Sequence, residues 1–289
     1  MKRTQIENIE IELLLEGIFR RHGYDFKHYA RASLKRRLEA IVSRQNLNHI
    51  SEILPRVLYD HDFMNDFVKG MSVTVTEMFR DPFVYRAIRK LVIPFLKTFP
   101  FIKVWHAGCA TGEEVYSMAI LLKEEGFYDR TQIYATDFNR SSLRIAQEGI
   151  YSIKDMKQFT QNYYKAGGKT SFSNYLYSKY ESAKIQDSLK KNILFSHHNL
   201  VADGVFGEMN LIICRNVLIY FDMDLQNRVL SLFHNSLCHG GILCLGSKES
   251  IRFSSVWPKF EVIAEKEKIF KKKYENFGMV NGTEKQVEI

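Results

Sequence analysis

The run Val104-Trp-His-Ala-Gly-Cys-Ala-Thr-Gly-Glu-Glu-Val-Tyr-Ser-Met118 changes character twice. It starts as a strand, because Ile102, Val104 and Trp105 are β-formers. It turns through Gly108 and Gly112. It leaves as a helix, with Val115, Met118, Ala119 and Leu122 at helical spacing. Strand, glycine turn and helix open a nucleotide-binding βαβ unit: glycine lets backbone approach a ligand, and a helix N-terminus offers free N–H groups. Two features argue against a dinucleotide. The glycines stand four apart, not in a Gly-x-Gly-x-x-Gly pattern. Glu113 and Glu114 open the helix where a pyrophosphate would sit. Two carboxylates there repel phosphate and attract a cation. S-adenosylmethionine has no phosphate and carries a sulfonium and an ammonium group. Dipole stabilisation in a first helical turn accounts for either glutamate alone; with the glycine turn and the next strand, a ligand is the better account.

That next strand, Gln132 to Thr136, ends in Asp137. An acid at the tip of the second strand commonly grips ribose hydroxyls. The competing role is an N-cap for the helix that starts near Asn139. From Phe101 onward strands and helices alternate, which argues a mostly parallel sheet covered on both faces. Strands are expected at Ile102–His106, Gln132–Thr136, Ile193–Ser196, Asn210–Cys214 and Ile242–Leu245. Helices are expected at Glu113–Glu125, Ser141–Gln147 and Asp224–Leu237. The alternation breaks at about 152–191, where Gly167-Gly168 and a Ser/Tyr/Lys-rich run mark an inserted subdomain. Phe260 to Ala264 and Lys268 to Tyr274 suggest an antiparallel hairpin closing the sheet. Residues 276–289 read as a disordered polar tail.

Upstream, residues 1–72 read as helices only. Ile6, Ile9, Leu13, Leu14 and Ile18 form an apolar stripe, and Gly23 closes that helix. A second helix runs from Tyr29 to Arg44, with Leu34, Leu38, Ile41 and Val42 as its buried face. Arg31, Lys35, Arg36, Arg37 and Arg44 lie around and opposite that stripe, as a solvated face or a dock for an acidic surface. Residues 73–100 form a linker and a helix over Phe83 to Leu96, with Asp81-Pro82 at its start.

The 289 residues are 45% hydrophobic and 13% aromatic, enough for a sizeable core. A net charge of +8 permits an acidic partner. The Lys/Arg residues are not interleaved with aromatics beyond Tyr175–Tyr180, which argues against nucleic acid. Four cysteines without Cys-x-x-Cys spacing suit a reducing compartment. With no apolar run long enough to span a bilayer, a soluble cytoplasmic monomer is expected. His197-His198 lacks an acid or Cys partner at ligand spacing, so no metal is expected.

Two further strands end in Asn199-Leu200 and in Cys214-Arg-Asn-Val-Leu-Ile-Tyr-Phe-Asp222. Together with Thr76-Glu-Met-Phe-Arg-Asp81, the Ala-Gly-Cys-Ala-Thr-Gly-Glu-Glu turn and Gly246-Ser-Lys-Glu-Ser250, these strings resemble the CheR family of chemotaxis-receptor glutamate methyltransferases. The likeness covers nearly the whole chain. It implies a class I methyltransferase fold with an N-terminal all-helical domain, S-adenosylmethionine as donor, and a receptor glutamate carboxylate as acceptor. It implies cofactor contacts at Thr74, Thr76, Arg80, Ala107 and Gly108. Glu114 would take the cofactor's polar end, Asp137 its ribose, and Asn199 and Leu200 its adenine. Arg215 and Asn216 would line the cleft. Arg80 and Tyr220 would stand beside the reacting methyl, although flanking Ile219 and Phe221 also suit a core role for Tyr220. The cytoplasmic helical region of receptors would be the partner, through the basic helix and the inserted subdomain. The chain departs from the family with Thr74 where Asn is common, Met78 where Phe is common, and Val115 where Pro is common. The competing readings are an enzyme of the same fold with another substrate, and a non-catalytic cofactor-binding scaffold.

Overall fold

The computed structural model describes residues 3–72 and 76–274. The tail expected at 276–289 lies outside the described residues. Four helices come first: α1 (Arg3–His22), α2 (Arg31–Arg44), α3 (Ile53–Tyr59) and α4 (His61–Met71). Asp60 caps α4 by accepting from Asp62 N and Phe63 N.

The buried face of α1 keeps Leu14 and Ile18 of the expected stripe but not Ile6, Ile9 and Leu13. Ile11, Leu14, Leu15 and Ile18 are buried, whereas Ile6, Ile9 and Leu13 are 49%, 47% and 58% exposed. Gly17 explains the rotation. A side chain there would meet Leu54 Cδ1 at 2.5 Å, so α3 seats directly on the Gly17 face. In α2 the buried residues are Leu34, Arg37, Leu38 and Ile41. Arg37 therefore leaves the exposed basic face on which the sequence reading had placed it.

The helix expected over Phe83 to Leu96 is interrupted. It runs as α5 (Pro82–Ala87), a wider π-type turn over Ile88–Val92, and α6 (Ile93–Leu96). Pro94 accounts for the break, because it has no N–H and its ring collides with the carbonyl four residues back.

The α/β part then follows in chain order: β1 (Ile102–Ala107), α7 (Glu113–Glu124), β2 (Thr131–Asp137), α8 (Arg140–Glu148), β3 (Ile150–Ser152), α9 (Met156–Lys165), β4 (Leu176–Lys179), β5 (Ser182–Ile185), β6 (Ile193–His197), β7 (Met209–Cys214), α10 (Met223–Ser236), β8 (Leu237–Leu245), β9 (Phe260–Ala264) and β10 (Ile269–Lys272). Seven strands form one sheet in the order β6-β2-β1-β7-β8-β10-β9. The first five strands in that order are parallel; β10 pairs antiparallel with both β8 and β9. The inserted segment contributes α9 and a separate antiparallel sheet, β3-β5-β4.

Chain direction across the sheet reverses at β1, since β2 and β6 lie on one side and β7 and β8 on the other. Ligands of open α/β sheets bind at such a switch point, outside the carboxyl ends of the strands. Two hydrophobic cores flank the sheet. One joins α7 to the inserted subdomain; the other joins α10 and Trp105 to the N-terminal helices. Main-chain bonds tie the helical domain to the segment after β7. Ala30 N donates to Tyr220 O at 2.8 Å, and Asp222 N donates to His28 O at 2.8 Å.

Candidate active site

The turn after β1 folds over the tip of β2. Gly108 N and Cys109 N both donate to Thr136 O, at 2.8 and 2.9 Å. Gly108 has φ +77°, and a Cβ there would meet Val217 Cγ2 at 2.6 Å. Only glycine satisfies both conditions. Asp137 holds the turn from the other side: Oδ2 accepts from Ala110 N at 2.9 Å and Oδ1 from Asn139 N at 2.8 Å. The cap of α8 is Asn139, which accepts from Ser141 N and Ser142 N. Asp137 is thus not the helix cap, and its carboxylate borders the cleft. Burial raises its pKa, against the pull of the backbone N–H groups.

The two glutamates of the turn part company. Glu113 turns inward, accepts from Thr111 Oγ1, and is pushed up to about 7 by burial. Glu114 lines the cleft. Its Oε2 accepts from Arg215 Nη1 at 2.7 Å, and its Oε1 lies 3.5 Å from His106 Nδ1. Burial raises the Glu114 carboxyl, but Arg215 and His106 outweigh that and leave it below the ordinary range. Arg215 also donates from Nη2 to Asp81 Oδ2 at 2.6 Å and from Nη1 to Arg80 O at 3.3 Å. Its guanidinium is buried between two carboxylates, so it fixes Glu114 and the Arg80 segment in place.

Residues in the left-handed region gather at this cleft. Phe79, Asp81, Ala110 and Asn216 have φ of 54°, 55°, 47° and 61°. Each costs roughly 1 kcal/mol for a residue with a side chain, and such strain concentrates at functional sites. The surroundings hold it in place. Phe79 N donates to Ser117 Oγ, and Asn162 Nδ2 donates to Met78 O. Buried Glu249 accepts from the N–H groups of Asn216, Val217, Leu218 and Gly246. Met78 and Val115, the two packing departures, are fully buried.

The cleft at the switch point encloses about 1000 Å³, its open mouth included. Thr76, Arg80, Gly108, Glu114, Asp137, Asn199, Leu200, Arg215, Asn216 and Tyr220 all line it. Ala107 ends β1 in the core and does not border the cleft. Thr74 lies outside the described residues. Sequence reasoning missed Tyr29, Arg37, Phe138, His198 and Phe221, which also line it. For Arg37 the signal was present: it falls three residues after Leu34 and four before Ile41, on the buried stripe. Among the described residues no group of His, Cys, Asp or Glu is placed to hold a metal ion. The four cysteines are unpaired.

The donor set has a clear chemical bias. Glu114 and Asp137 are acidic, and the turn N–H groups at Gly108, Cys109 and Ala110 are already bonded, so the turn offers none of these to a phosphate. These residues fit a cationic, phosphate-free cofactor. Residues 74–269 match the domain described as "CheR methyltransferase, SAM binding domain", and residues 9–72 match "CheR methyltransferase, all-alpha domain". The chain belongs to the CheR methyltransferase family. Its fold is the class I methyltransferase fold, and its cofactor is S-adenosylmethionine. The "Putative methyltransferase Cher3" of Pseudomonas putida is 48% identical over 265 residues, covering 92% of this chain and 97% of that protein. The "Chemotaxis protein methyltransferase" of Listeria monocytogenes is 28% identical, covering 79% and 85%. The "Chemotaxis protein methyltransferase 1" of Vibrio cholerae is 29% identical, covering 83% and 86%. No helix of this CheR methyltransferase, among the described residues, is long and apolar enough to cross a membrane.

Proposed function

We propose that the protein methylates glutamate side-chain carboxylates of chemotaxis receptors, giving glutamate methyl esters and S-adenosylhomocysteine. The observation that carries this reading is the mixture of charges in one cleft. Acidic Glu114 and Asp137 suit a cationic donor, while Arg80 and the phenol of Tyr220 suit an anionic acceptor. The names of the Listeria and Vibrio relatives support a chemotaxis role.

Glu114 holds the cofactor's ammonium end, Asp137 takes the ribose hydroxyls, and Asn199 and Leu200 flank the adenine. Gly108 gives the close backbone approach, and Thr76, Arg80 and Asn216 complete the wall. Arg215 acts through Glu114 and Asp81. When bound, S-adenosylmethionine supplies an electrophilic methyl on a sulfonium leaving group. A carboxylate is already a nucleophile, so the chain's task is to align and desolvate it. A carboxylate oxygen bonds to the methyl carbon as the carbon–sulfur bond breaks, and no proton moves. Arg80 aligns the glutamate by a charge-assisted hydrogen bond, and Tyr220 fixes the approach.

The receptor docks against the basic face of α2 and the inserted subdomain. Arg36 and Arg44 are exposed there, whereas Lys35 is held by Glu7 at 2.6 Å and Arg31 donates to Asn8. Reversing Arg36 and Arg44 to Glu should raise the apparent KM for receptor and weaken its salt dependence. The decisive assay supplies labelled cofactor with a purified receptor cytoplasmic fragment. Label should enter protein at glutamate and leave in mild base. No transfer to the fragment, or label that survives mild base, refutes the reading.

A further inference from the structure

Arg37 is a buried cation that the roles assigned above leave unexplained. It comes from α2, is 7% exposed, and borders the cleft. Nη1 donates to the main-chain oxygen of Met71. Nε and Nη2 have no partner among the described residues. The guanidinium carbon lies 4.5 Å from the centre of the Tyr220 ring, within stacking range. Two phenols, Tyr29 and Tyr220, and the guanidinium of Arg36 are the side chains that bear on its charge, and no carboxylate is among them. Burying a charge without a counter-ion is unfavourable, and the described residues supply none to this edge of Arg37.

The missing partner has a shape. Nε–H and the outer N–H of Nη2 point the same way and form the fork that grips a carboxylate by two parallel bonds. Arg215 cannot serve, because Glu114 and Asp81 occupy it. We propose that Arg37 binds the γ-carboxylate of the glutamate being methylated through its Nε–Nη2 edge, so that the N-terminal helical domain supplies part of the acceptor site. The inference rests on the glutamate reading above and gives that substrate a second anchor beside Arg80. Each carboxylate oxygen keeps a further lone pair after accepting from the fork, and attack on the methyl remains open. The contact with the Tyr220 ring keeps the guanidinium beside the residue assigned to the reacting centre. Main-chain bonding of Ala30 to Tyr220 keeps the two domains in that relation.

The test compares wild type with Arg37→Met and Arg37→Lys on receptor fragments carrying Glu or Gln at the methylated positions. Loss of a preorganised charged pair should lower kcat/KM for the Glu fragment by about 10²-fold in Arg37→Met. Arg37→Lys keeps a charge without the fork, and should lose about tenfold. Affinity for S-adenosylhomocysteine should stay at the wild-type value in both. The wild-type preference for binding the Glu fragment over the Gln fragment should vanish in Arg37→Met. A folded Arg37→Met enzyme with wild-type kcat/KM overturns the proposal. So does an equal loss of cofactor affinity, which would place the fork on the cofactor. If Arg37→Met does not fold, Arg37→Lys decides alone: unchanged kcat/KM, or failure of this variant to fold as well, overturns the proposal in favour of a structural arginine. Absence of base-labile label with wild type would instead refute the glutamate reading itself.

Discussion

Glu249→Gln isolates the support of the cleft from its chemistry. Glu249 Oε1 accepts from Val217 N at 2.8 Å and Leu218 N at 2.7 Å. Its Oε2 accepts from Asn216 N and Gly246 N. Glutamine has nearly the same shape, but one of its terminal atoms is an NH2 that cannot accept. Whichever way the amide is placed, two buried N–H donors lose their acceptor and face another donor. An unpaired buried donor costs about 1–3 kcal/mol, so the pair costs roughly 2–6 kcal/mol, with loop relaxation drawing the value toward the lower end. At a few degrees per kcal/mol for chains of this size, Tm should fall by about 5 °C or more. The same loop carries Arg215 and Asn216, so the cofactor site should suffer too. If even 1.4 kcal/mol of the loss is expressed there, affinity for S-adenosylhomocysteine falls by about tenfold. Thermal unfolding and calorimetric titration of the variant read both quantities. An unchanged Tm with unchanged affinity would refute the idea that this carboxylate holds the loop.

Arg80→Ala should lower turnover by on the order of 10²-fold with little change in Tm; near-wild-type turnover in the folded variant removes Arg80 from the reacting centre. Tyr220→Phe keeps the ring under Arg37 and removes only the hydroxyl, so a normal rate there would leave Tyr220 as a packing residue. Asp137→Ala should weaken cofactor binding in a calorimetric titration, and equal affinity would take Asp137 out of the site. Glu113 is raised from 4.5 to about 7 by burial, so the folded state holds its proton more tightly than the unfolded state. Its stabilising contribution is complete below about pH 4.5 and is lost as pH rises through about 7. Glu113→Gln, which keeps an acceptor for Thr111, should therefore gain stability over wild type at pH 8 and little at pH 4.5; a pH-independent difference between the two melting curves would contradict the assignment.

The turn that lines the cleft was legible in sequence because it is built from local pattern. A strand ending in Gly108, a helix opening on Glu113-Glu114, and an acid at the tip of the next strand each occupy a few consecutive residues. Periodicity gave β1, β2 and β7 to within a residue or so, since buried parallel strands are short continuous apolar runs, and it placed the more exposed edge strand β6 equally well. The inserted sheet β3-β5-β4 was less legible, because its strands are only three or four residues long. The split between the two glutamates was not readable at all. Neighbouring side chains on a helix point about 100° apart, and only the positions of Arg215 and His106 reveal which one reaches the cleft. The α1 stripe was half right for a related reason: Leu14 and Ile18 are buried as expected, but 3.6-residue spacing also fits Ile6-Ile9-Leu13, and the small residue at Gly17 decides that the bundle covers the Ile11-Leu14-Ile18 face.

The proposed acceptor half is different in kind, because its residues come together only where the two domains meet. Arg37 lies on the buried stripe of α2, where a charge is costly, and that cost sets it apart more clearly than its place in a basic run. The α1–α2 connection is bonded to both sides of Tyr220, through Ala30 N to Tyr220 O and His28 O to Asp222 N. Arg80 sits between two left-handed residues, with its carbonyl held by Arg215. Arg215 in turn holds Glu114, which borders the proposed cofactor site. The cation proposed to align the acceptor and the carboxylate proposed to hold the donor thus share one rigid network, with Arg215 at its centre. A change in the helical domain that moves Tyr220 should therefore appear as a loss of turnover before it appears as a loss of cofactor affinity. The opposite order, with cofactor affinity failing first, would mean that the domain contact serves the donor site and not the acceptor.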